Sequence, residues 1–147
     1  MNPNVKPSQR VTLLGVIDAD AYAASTVTTA WVDASKYESL LGFVAVGDFV
    51  TNGVLDAKLE QATDGSGTGA KDVTGKAMTQ MTQAGTDSNK QAFINCLAEE
   101  LDVNGGFRFV RLSCTLTTAG ADLAAYLFGM DARYTPAHAA SVDEVVG

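Results

Sequence analysis

Residues 54–73, V-L-D-A-K-L-E-Q-A-T-D-G-S-G-T-G-A-K-D-V, are the stretch from which the fold is predicted. They open with strict alternation, in which Leu55, Ala57 and Leu59 fall on one side and charged residues on the other. Side chains of a β-strand point to opposite faces in turn, so the pattern predicts a strand with one dry and one wet face. Three glycines follow, and the chain returns at Asp72-Val73. We predict a β-hairpin with a long, flexible tip, which is a unit of antiparallel sheet.

Further stretches have the composition of strands between turn residues; they are 11–17, 26–32, 40–46, 73–81, 107–116 and 121–130. The first is expected to end at Asp18-Ala19-Asp20. Residues 40–46, L-L-G-F-V-A-V, form a nearly continuous apolar run, which predicts a central strand buried on both faces. Residues 35–38 have capping-box spacing and predict one helical turn.

Residues 88–106 fit two structures. A helix would begin at Asp87 or Ser88 and end at Gly105, because the apolar residues between them have helical spacing. The alternative is a strand at 91–97 and one turn at 99–101. The strong strand pattern that follows, F-R-F-V-R-L-S-C-T-L, favours the strand.

About eight strands at intervals of roughly 10–20 residues are typical of a two-sheet protein. The sequence therefore predicts an all-β fold, a single-domain antiparallel β-sandwich or jelly roll with one or two short helical turns. We expect a flexible N-terminal arm over 1–9, the sandwich domain over 10–134 and a C-terminal arm over 135–147. A length of 147 residues with 46% hydrophobic residues suits one domain with its own core.

The net charge and the hydropathy of the chain limit the partners that it is expected to bind. The formal net charge is −7, and an acidic chain is repelled by phosphates, so we expect no nucleic acid and no anionic membrane as partner. No apolar run approaches the roughly 20 residues of a membrane span. The first residues lack the apolar region of a signal peptide, so we expect synthesis in a cytoplasm. There Cys96 and Cys114, which have no metal-site spacing, would act as small buried hydrophobes.

The residue types that catalyse reactions are sparse. His138, the single histidine, lies in the polar C-terminal stretch, where a catalytic base cannot be held in place. Glu99, Glu100 and Asp102 are neighbours in sequence, and neighbours do not converge across a substrate cleft. We predict no enzyme activity, no catalytic or cofactor-binding residues and no cofactor.

The glycine-rich loop over 64–72 resembles a phosphate-binding loop only superficially. Ala70 separates Gly69 from Lys71, and a strand rather than a helix follows. Asp64, Ser66 and Asp72 offer oxygen ligands to a cation, but without EF-hand spacing. We expect a mobile hairpin tip and no metal site, with a bound cation or glycan as the open alternatives.

The arginine and aromatic side chains are the last candidates for a functional role. Arg108, Arg111 and Arg133 lie in or near strands, where arginines pair with carboxylates either inside a subunit or across an interface. Both pairings stay open at this point. Five aromatic residues are predicted to pack in the core rather than form a sugar-binding platform; they are Trp31, Tyr37, Tyr126, Phe128 and Tyr134.

Three segments carry a resemblance to a known group. They are L-E-Q-A-T-D-G with K-D-V at 59–73, A-E-E-L-D-V-N-G-G-F-R-F-V-R-L at 98–112, and L-F-G-M-D-A-R-Y-T-P at 127–136. Over about 26–136 the chain resembles small structural proteins of tailed bacteriophages, similar to head decoration (cement) or minor virion proteins. The chain departs from their pattern at Lys71, where an aromatic residue often precedes Asp-Val.

The resemblance implies a non-enzymatic decoration protein that binds the outside of the capsid and stabilises it. It implies the major capsid protein as partner, a homotrimer at three-fold positions, and the outer surface of the virion as location. Terminal arms would add strands to neighbouring subunits. A tail, neck or fibre-associated virion subunit and a carbohydrate-binding module are the alternatives.

Overall fold

The computed structural model describes residues 4–134 and 141–147. The strands are Val11–Tyr22 (β1), Thr26–Thr28 (β2), Val32–Asp33 (β3), Tyr37–Phe49 (β4), Val54–Ala62 (β5), Lys71–Ala77 (β6), Met81–Thr82 (β7), Gln91–Leu97 (β8), Phe109–Thr117 (β9) and Ala121–Ala132 (β10). Short 3-10 helices cover Pro7–Gln9, Ala34–Lys36 and Ala98–Glu100. Residues 1–3 and 135–140, and with them Pro136 and His138 of the predicted arm, lie outside the described part.

The strands form two antiparallel sheets. Sheet 1 has the order β1-β10-β4-β8, and sheet 2 has the order β2-β9-β5-β6. The short strand β3 continues the β2 position beside β9, and β7 continues the β6 position beside β5. Each sheet is therefore four strand positions wide, and the chain passes repeatedly from one sheet to the other.

The connectivity is that of a jelly roll. With β2 and β3 counted as one strand, and β6 and β7 as another, the chain has eight strands that pair as first with eighth, second with seventh, third with sixth and fourth with fifth. This nested pairing is a long hairpin rolled into two facing sheets. The predicted all-β sandwich or jelly roll is confirmed, and the short helical turns are 3-10 helices.

The core lies between the two sheets and is filled by alternate residues of both. In β5 the buried residues are Leu55, Ala57 and Leu59, as the alternation predicts. The largest fully buried side chains are Leu40, Leu55, Leu59, Leu112, Leu116, Leu127, Val44, Val110, Cys96 and Cys114. Full burial of each leucine or valine contributes about 1.5–3 kcal/mol, which makes this layer the main source of stability.

Several strands differ in extent from the prediction. Residues 91–97 form a strand and 98–100 a 3-10 turn, so the favoured interpretation is confirmed and the helix is wrong. Strand β1 does not end at Asp18-Ala19-Asp20, because a register shift between Ile17 and Asp20 carries it on to Tyr22. The stretches 26–32 and 73–81 are each broken into two short strands.

Strand β4 is buried on one face only, so the prediction of burial on both faces is wrong. It is central in sheet 1, between β10 and β8, and its residues Leu40, Val44 and Val46 are buried against sheet 2. The alternate residues Leu41 and Phe43 point away from the core and are only half-buried. The apolar run therefore has one face inside the sandwich and one face on its outside.

The predicted capping box at residues 35–38 is also corrected. The turn covers Ala34–Lys36, and its cap is Asp33, whose carboxylate accepts hydrogen bonds from the Ser35 N–H (3.0 Å) and hydroxyl (2.6 Å). An Asp side chain that accepts from the second following N–H is an N-cap. Desolvation acts to raise the pKa of Asp33, but the hydrogen bonds from Ser35 and the nearby charges of Arg108 and Lys36 together lower it.

Candidate interaction surface

The outer face of sheet 1 carries a row of apolar side chains across all four strands. The strand register places Val16 beside Tyr126, Tyr126 beside Phe43, and Phe43 beside Phe93. The ring centroids of Phe43 and Phe93 are 5.4 Å apart, and those of Phe43 and Tyr126 are 6.3 Å apart. These separations are within the range of favourable aromatic pairs.

Two further rows extend this surface toward one end of the sheet. They are Leu13, Phe128, Leu41 and Asn95, and then Val11, Met130, Ser39 and Leu97. None of the twelve positions in the three rows carries a charge. We call their apolar members the apolar face; they are Val11, Leu13, Val16, Leu41, Phe43, Phe93, Leu97, Tyr126, Phe128 and Met130.

The apolar face is open to solvent at its two lateral edges. Phe93 is 67% exposed, Leu97 49% and Val16 42%, whereas the residues between them are half-buried by their neighbours. Scattered exposed apolar residues are ordinary on a protein surface. A contiguous patch of them marks an interaction site, because its burial by a partner is favourable.

The outer face of sheet 2 has the opposite character. The Thr26 and Thr115 hydroxyls are hydrogen-bonded at 3.0 Å, and Lys58 Nζ lies 2.6 Å from Asp72 Oδ1. The hydrogen bond to Asp72 raises the pKa of Lys58. An antiparallel sheet commonly has one face on the core and one in water, which describes sheet 2 but not sheet 1.

The C-terminal segment 141–147 lies beside the apolar face. The Leu13 N–H donates to the Ser141 hydroxyl oxygen at 3.2 Å, and Lys6 Nζ donates to the Gly147 carbonyl at 2.8 Å. Val142 and Val145 border a groove of about 300 Å³ whose other walls include Phe43 and Tyr126. The segment thus flanks the β1 and β10 side of the face and leaves β8 uncovered.

The five aromatic residues do not lie in the core, and that prediction is wrong. Tyr126 and Phe128 belong to the apolar face, and Tyr134 is 87% exposed. Trp31 is half-buried, with the Arg111 guanidinium 4.5 Å from its ring centroid. Strand alternation places Tyr126 and Phe128 outside, because their neighbours Ala125 and Leu127 are the buried residues.

The glycine-rich loop is folded onto itself and onto aromatic rings. The Asp64 carboxylate accepts the N–H groups of Ser66 (2.9 Å) and Thr68 (3.1 Å). Hydrogen bonds from the Thr68 side chain and from these N–H groups lower the pKa of Asp64. Asp72 instead faces Lys58, so the three oxygen-bearing residues do not converge as cation ligands. Across the described residues, no three His, Cys, Asp or Glu side chains are grouped as a metal site.

Close packing of this loop requires Gly67. Its φ is +85°, and a Cβ there would lie 2.6 Å from Trp31 Nε1. Gly75 has φ +75° with nothing within 4 Å of its Cβ position. We expect Gly75→Ala to cost about 1–2 kcal/mol from the left-handed backbone alone, and Gly67→Ala about 1–3 kcal/mol more from overpacking. Urea unfolding followed by Trp31 fluorescence measures both; equal losses would contradict the packing.

Glu100 and Asp102 of the acidic cluster form ion pairs within the chain, and so do the arginines. Glu100 accepts from Lys76 Nζ (2.8 Å) and from the Leu97 N–H (2.7 Å), and Asp102 accepts from Lys71 Nζ (2.6 Å). The hydrogen bonds from Lys76 and Lys71 lower the pKa of Glu100 and Asp102 respectively. The three arginines singled out in the sequence pair as Arg111–Glu60 (2.6 Å), Arg133–Glu38 (3.4 Å) and Arg108–Asp33 (3.8 Å). Each of the three arginines therefore has a carboxylate partner within its own subunit.

The two cysteines are buried free thiols, as predicted. Burial raises the pKa of Cys96 to about 11 and that of Cys114 to about 12. A thiol is a nucleophile only as thiolate, so neither cysteine is activated for reaction. Over the same part of the chain, no helix has the length and hydropathy of a membrane span.

Comparison with known proteins gives only distant structural likenesses. No protein-family model and no curated protein matches the chain. A chain in the structure of the infectious bursal disease virus Gt strain is 15% identical with a TM-score of 0.47, over 93% of this chain and 38% of that one. A chain of the VP2 subviral particle of infectious bursal disease virus is 15% identical with a TM-score of 0.32, over 93% of this chain and 48% of that one. This chain spans less than half the length of either.

Proposed function

We propose that the chain is a non-enzymatic structural subunit of a virus particle, and specifically a decoration (cement) protein of a tailed bacteriophage. The observation that carries the proposal is the apolar face of sheet 1. The jelly roll supports it as an architecture of capsid proteins, although lectins and cupins use it too. The resemblance of residues 26–136 to phage structural proteins supports the phage assignment.

The two outer faces suit a subunit that adheres with one side. The apolar face offers aromatic and aliphatic side chains without charge, and its burial contributes about 25 cal/mol per Å². The polar face of sheet 2 would remain toward solvent. The net charge of −7 opposes capture by packaged DNA, which suits an outer position on the shell.

The partner in this proposal is the major capsid protein, and the location is the outer surface of the virion after synthesis in the host cytoplasm. Decoration proteins commonly occupy three-fold positions, so a homotrimer is the assembly that the resemblance favours. Closed symmetry also prevents open-ended association through an exposed apolar surface.

Addition of the purified protein to heads that lack it tests the role. We expect co-sedimentation with the heads and cryo-EM density on the outside of the shell, in a copy number that matches the lattice. Complete virions should survive heat, low salt and chelator better than virions without the protein. Equal survival would contradict the cement role, and density at the tail or neck would assign the chain there.

A carbohydrate-binding module is the second candidate, because Tyr126 and Phe128 lie side by side on an open face with ring centroids 6.2 Å apart. Aromatic rings in such a row can stack on sugars. A glycan array with the wild type and with Tyr126→Ala tests this function. Binding that Tyr126→Ala removes would favour it, and no binding to any glycan would exclude it.

A further inference from the structure

Three of the four sheet edges in the described residues are blunted against pairing with another strand. The β1 edge has register shifts between Leu13 and Gly15 and between Ile17 and Asp20, and it carries Asp18 and Asp20. In sheet 2, one edge consists of β2 and β3 and is interrupted between these two short strands. The β6 edge carries Lys71, Asp72 and Lys76 and is broken before β7. Short strands, bulges and charges are the usual means by which proteins protect sheet edges.

The β8 edge has none of these features. Its seven residues, Q-A-F-I-N-C-L, include no charge, proline or glycine. Its register with β4 runs without a shift from Gln91 opposite Ala45 to Leu97 opposite Ser39. In the described part of the chain, no strand lies on its other side. A flat, uncharged edge of this length is a template for a further strand.

The hydrogen-bonding pattern between β8 and β4 shows which N–H and C=O groups of β8 face away from β4. The Val46 N–H donates to the Lys90 carbonyl at 3.0 Å, so the even-numbered residue that precedes β8 turns its carbonyl toward β4. Residues of an antiparallel ladder alternate, so even-numbered residues of β8 bond to β4 and odd-numbered ones turn their N–H and C=O outward. The outward N–H of Leu97 is taken by Glu100. Gln91, Phe93 and Asn95 are all exposed and present their backbone to the open edge.

We propose that β8 pairs antiparallel with β8 of a second copy of this chain, about a two-fold axis at Phe93. This register uses all three open residues, because Gln91 of each copy meets Asn95 of the other and Phe93 meets Phe93. The strand is uncharged, so self-pairing opposes no like charges within it, although the chain as a whole is at −7. The contact stands on the edge geometry and does not require the proposed role in a particle.

Continuity of the apolar face supports a second copy as occupant. Residues directly opposite in a sheet point to the same side. Phe93, the most exposed aromatic ring of sheet 1, would pack against its counterpart. The row Val16, Tyr126, Phe43 and Phe93 would then continue through the same row of the partner in an eight-stranded sheet. Because a two-fold contact cannot close within a three-fold trimer, the pairing would join copies of two neighbouring trimers into an even-numbered assembly.

Proline at Asn95 tests the contact with little change to the rest of the chain. It removes an outward N–H and leaves the bonds of Ala92, Ile94 and Cys96 to β4 in place. Asn95→Ala is the matched control, because it removes the same side chain and keeps the N–H. Between about 1 and 100 μM we expect the wild type and Asn95→Ala to sediment as even-numbered assemblies of the 15.3 kDa chain. Asn95→Pro should weaken pairing at least tenfold.

Amide hydrogen exchange tests the β8 contact in the wild type, so it does not require that a substituted variant folds. We expect the N–H groups of Phe93 and Asn95 to become protected as the wild-type concentration rises and to lose protection on dilution. Fast exchange of both at every concentration, with a monomer or an odd-numbered assembly, would overturn the proposal. Protection that appears only on capsid heads would assign the edge to a capsid strand and would equally overturn it, while leaving the decoration role intact.

Discussion

Leu112→Ala is expected to lower the free energy of unfolding by about 3–5 kcal/mol, in the upper part of the range for buried leucines. Leu112 is fully buried in the middle of β9. Its Cδ1 approaches to 3.5 Å from the position of a Cβ on Gly42, so it crosses the core into the space that this glycine of sheet 1 leaves. Gly42 has no side chain that could move in to fill the cavity. Total stabilities of domains are about 5–15 kcal/mol, so the loss is a large share.

Leu97→Ala is the control, because it deletes the same atoms from a side chain that is 49% exposed. We expect a loss below about 1 kcal/mol, since half of the area is already in water. Urea unfolding of both variants followed by Trp31 fluorescence and by circular dichroism measures the difference. Similar losses for the two would show that the space between the sheets is not the stabilising core.

Local patterns were enough to predict most strands of this fold. The alternation in β5 identified its buried residues, and the strong strand pattern that follows residue 106 favoured β8 over a helical alternative. A short-range pattern cannot predict where a strand is interrupted by its partner's register. That limit explains why β1 was predicted too short and why the stretches 26–32 and 73–81 were predicted as continuous.

The apolar face was missed because the apolar run 40–46 was interpreted as a strand buried on both faces, and because Tyr126 and Phe128 were predicted to pack in the core. Residues 40–46 of β4 and 123–130 of β10 are both such runs, and they are neighbours in sheet 1. Two adjacent strands with two apolar faces each need a layer on both sides of the sheet. Sheet 2 supplies one layer. Recognition that β4 and β10 pair would have placed Tyr126 and Phe128 on the uncovered side.

The strongest functional prediction follows from the uncovered outer side of sheet 1, which we expect a partner to cover. Val16 and Phe93 are the exposed ends of the row Val16, Tyr126, Phe43 and Phe93, so their replacement by Asp leaves the core untouched while it places two charges on the apolar face. We expect Val16→Asp with Phe93→Asp to weaken binding to undecorated heads at least about 100-fold, which corresponds to about 2.7 kcal/mol. Co-sedimentation over a range of protein concentrations measures the affinity.

Thr28→Asp with Thr117→Asp adds the same charge to the exposed outer side of sheet 2 and is the matched control. Binding should stay within about threefold of the wild type, because that face remains in solvent in the decorated particle. Phe93 is also the centre of the proposed β8 contact, so loss of pairing could by itself lower the apparent affinity. Asn95→Pro separates the two effects, since it blocks the edge and retains every side chain of the apolar face. Binding that falls as far in Asn95→Pro as in the double variant would mean that pairing, and not the apolar face, holds the protein on the shell. An equal loss in the sheet 2 control would remove the distinction between the faces and with it the proposed orientation on the capsid.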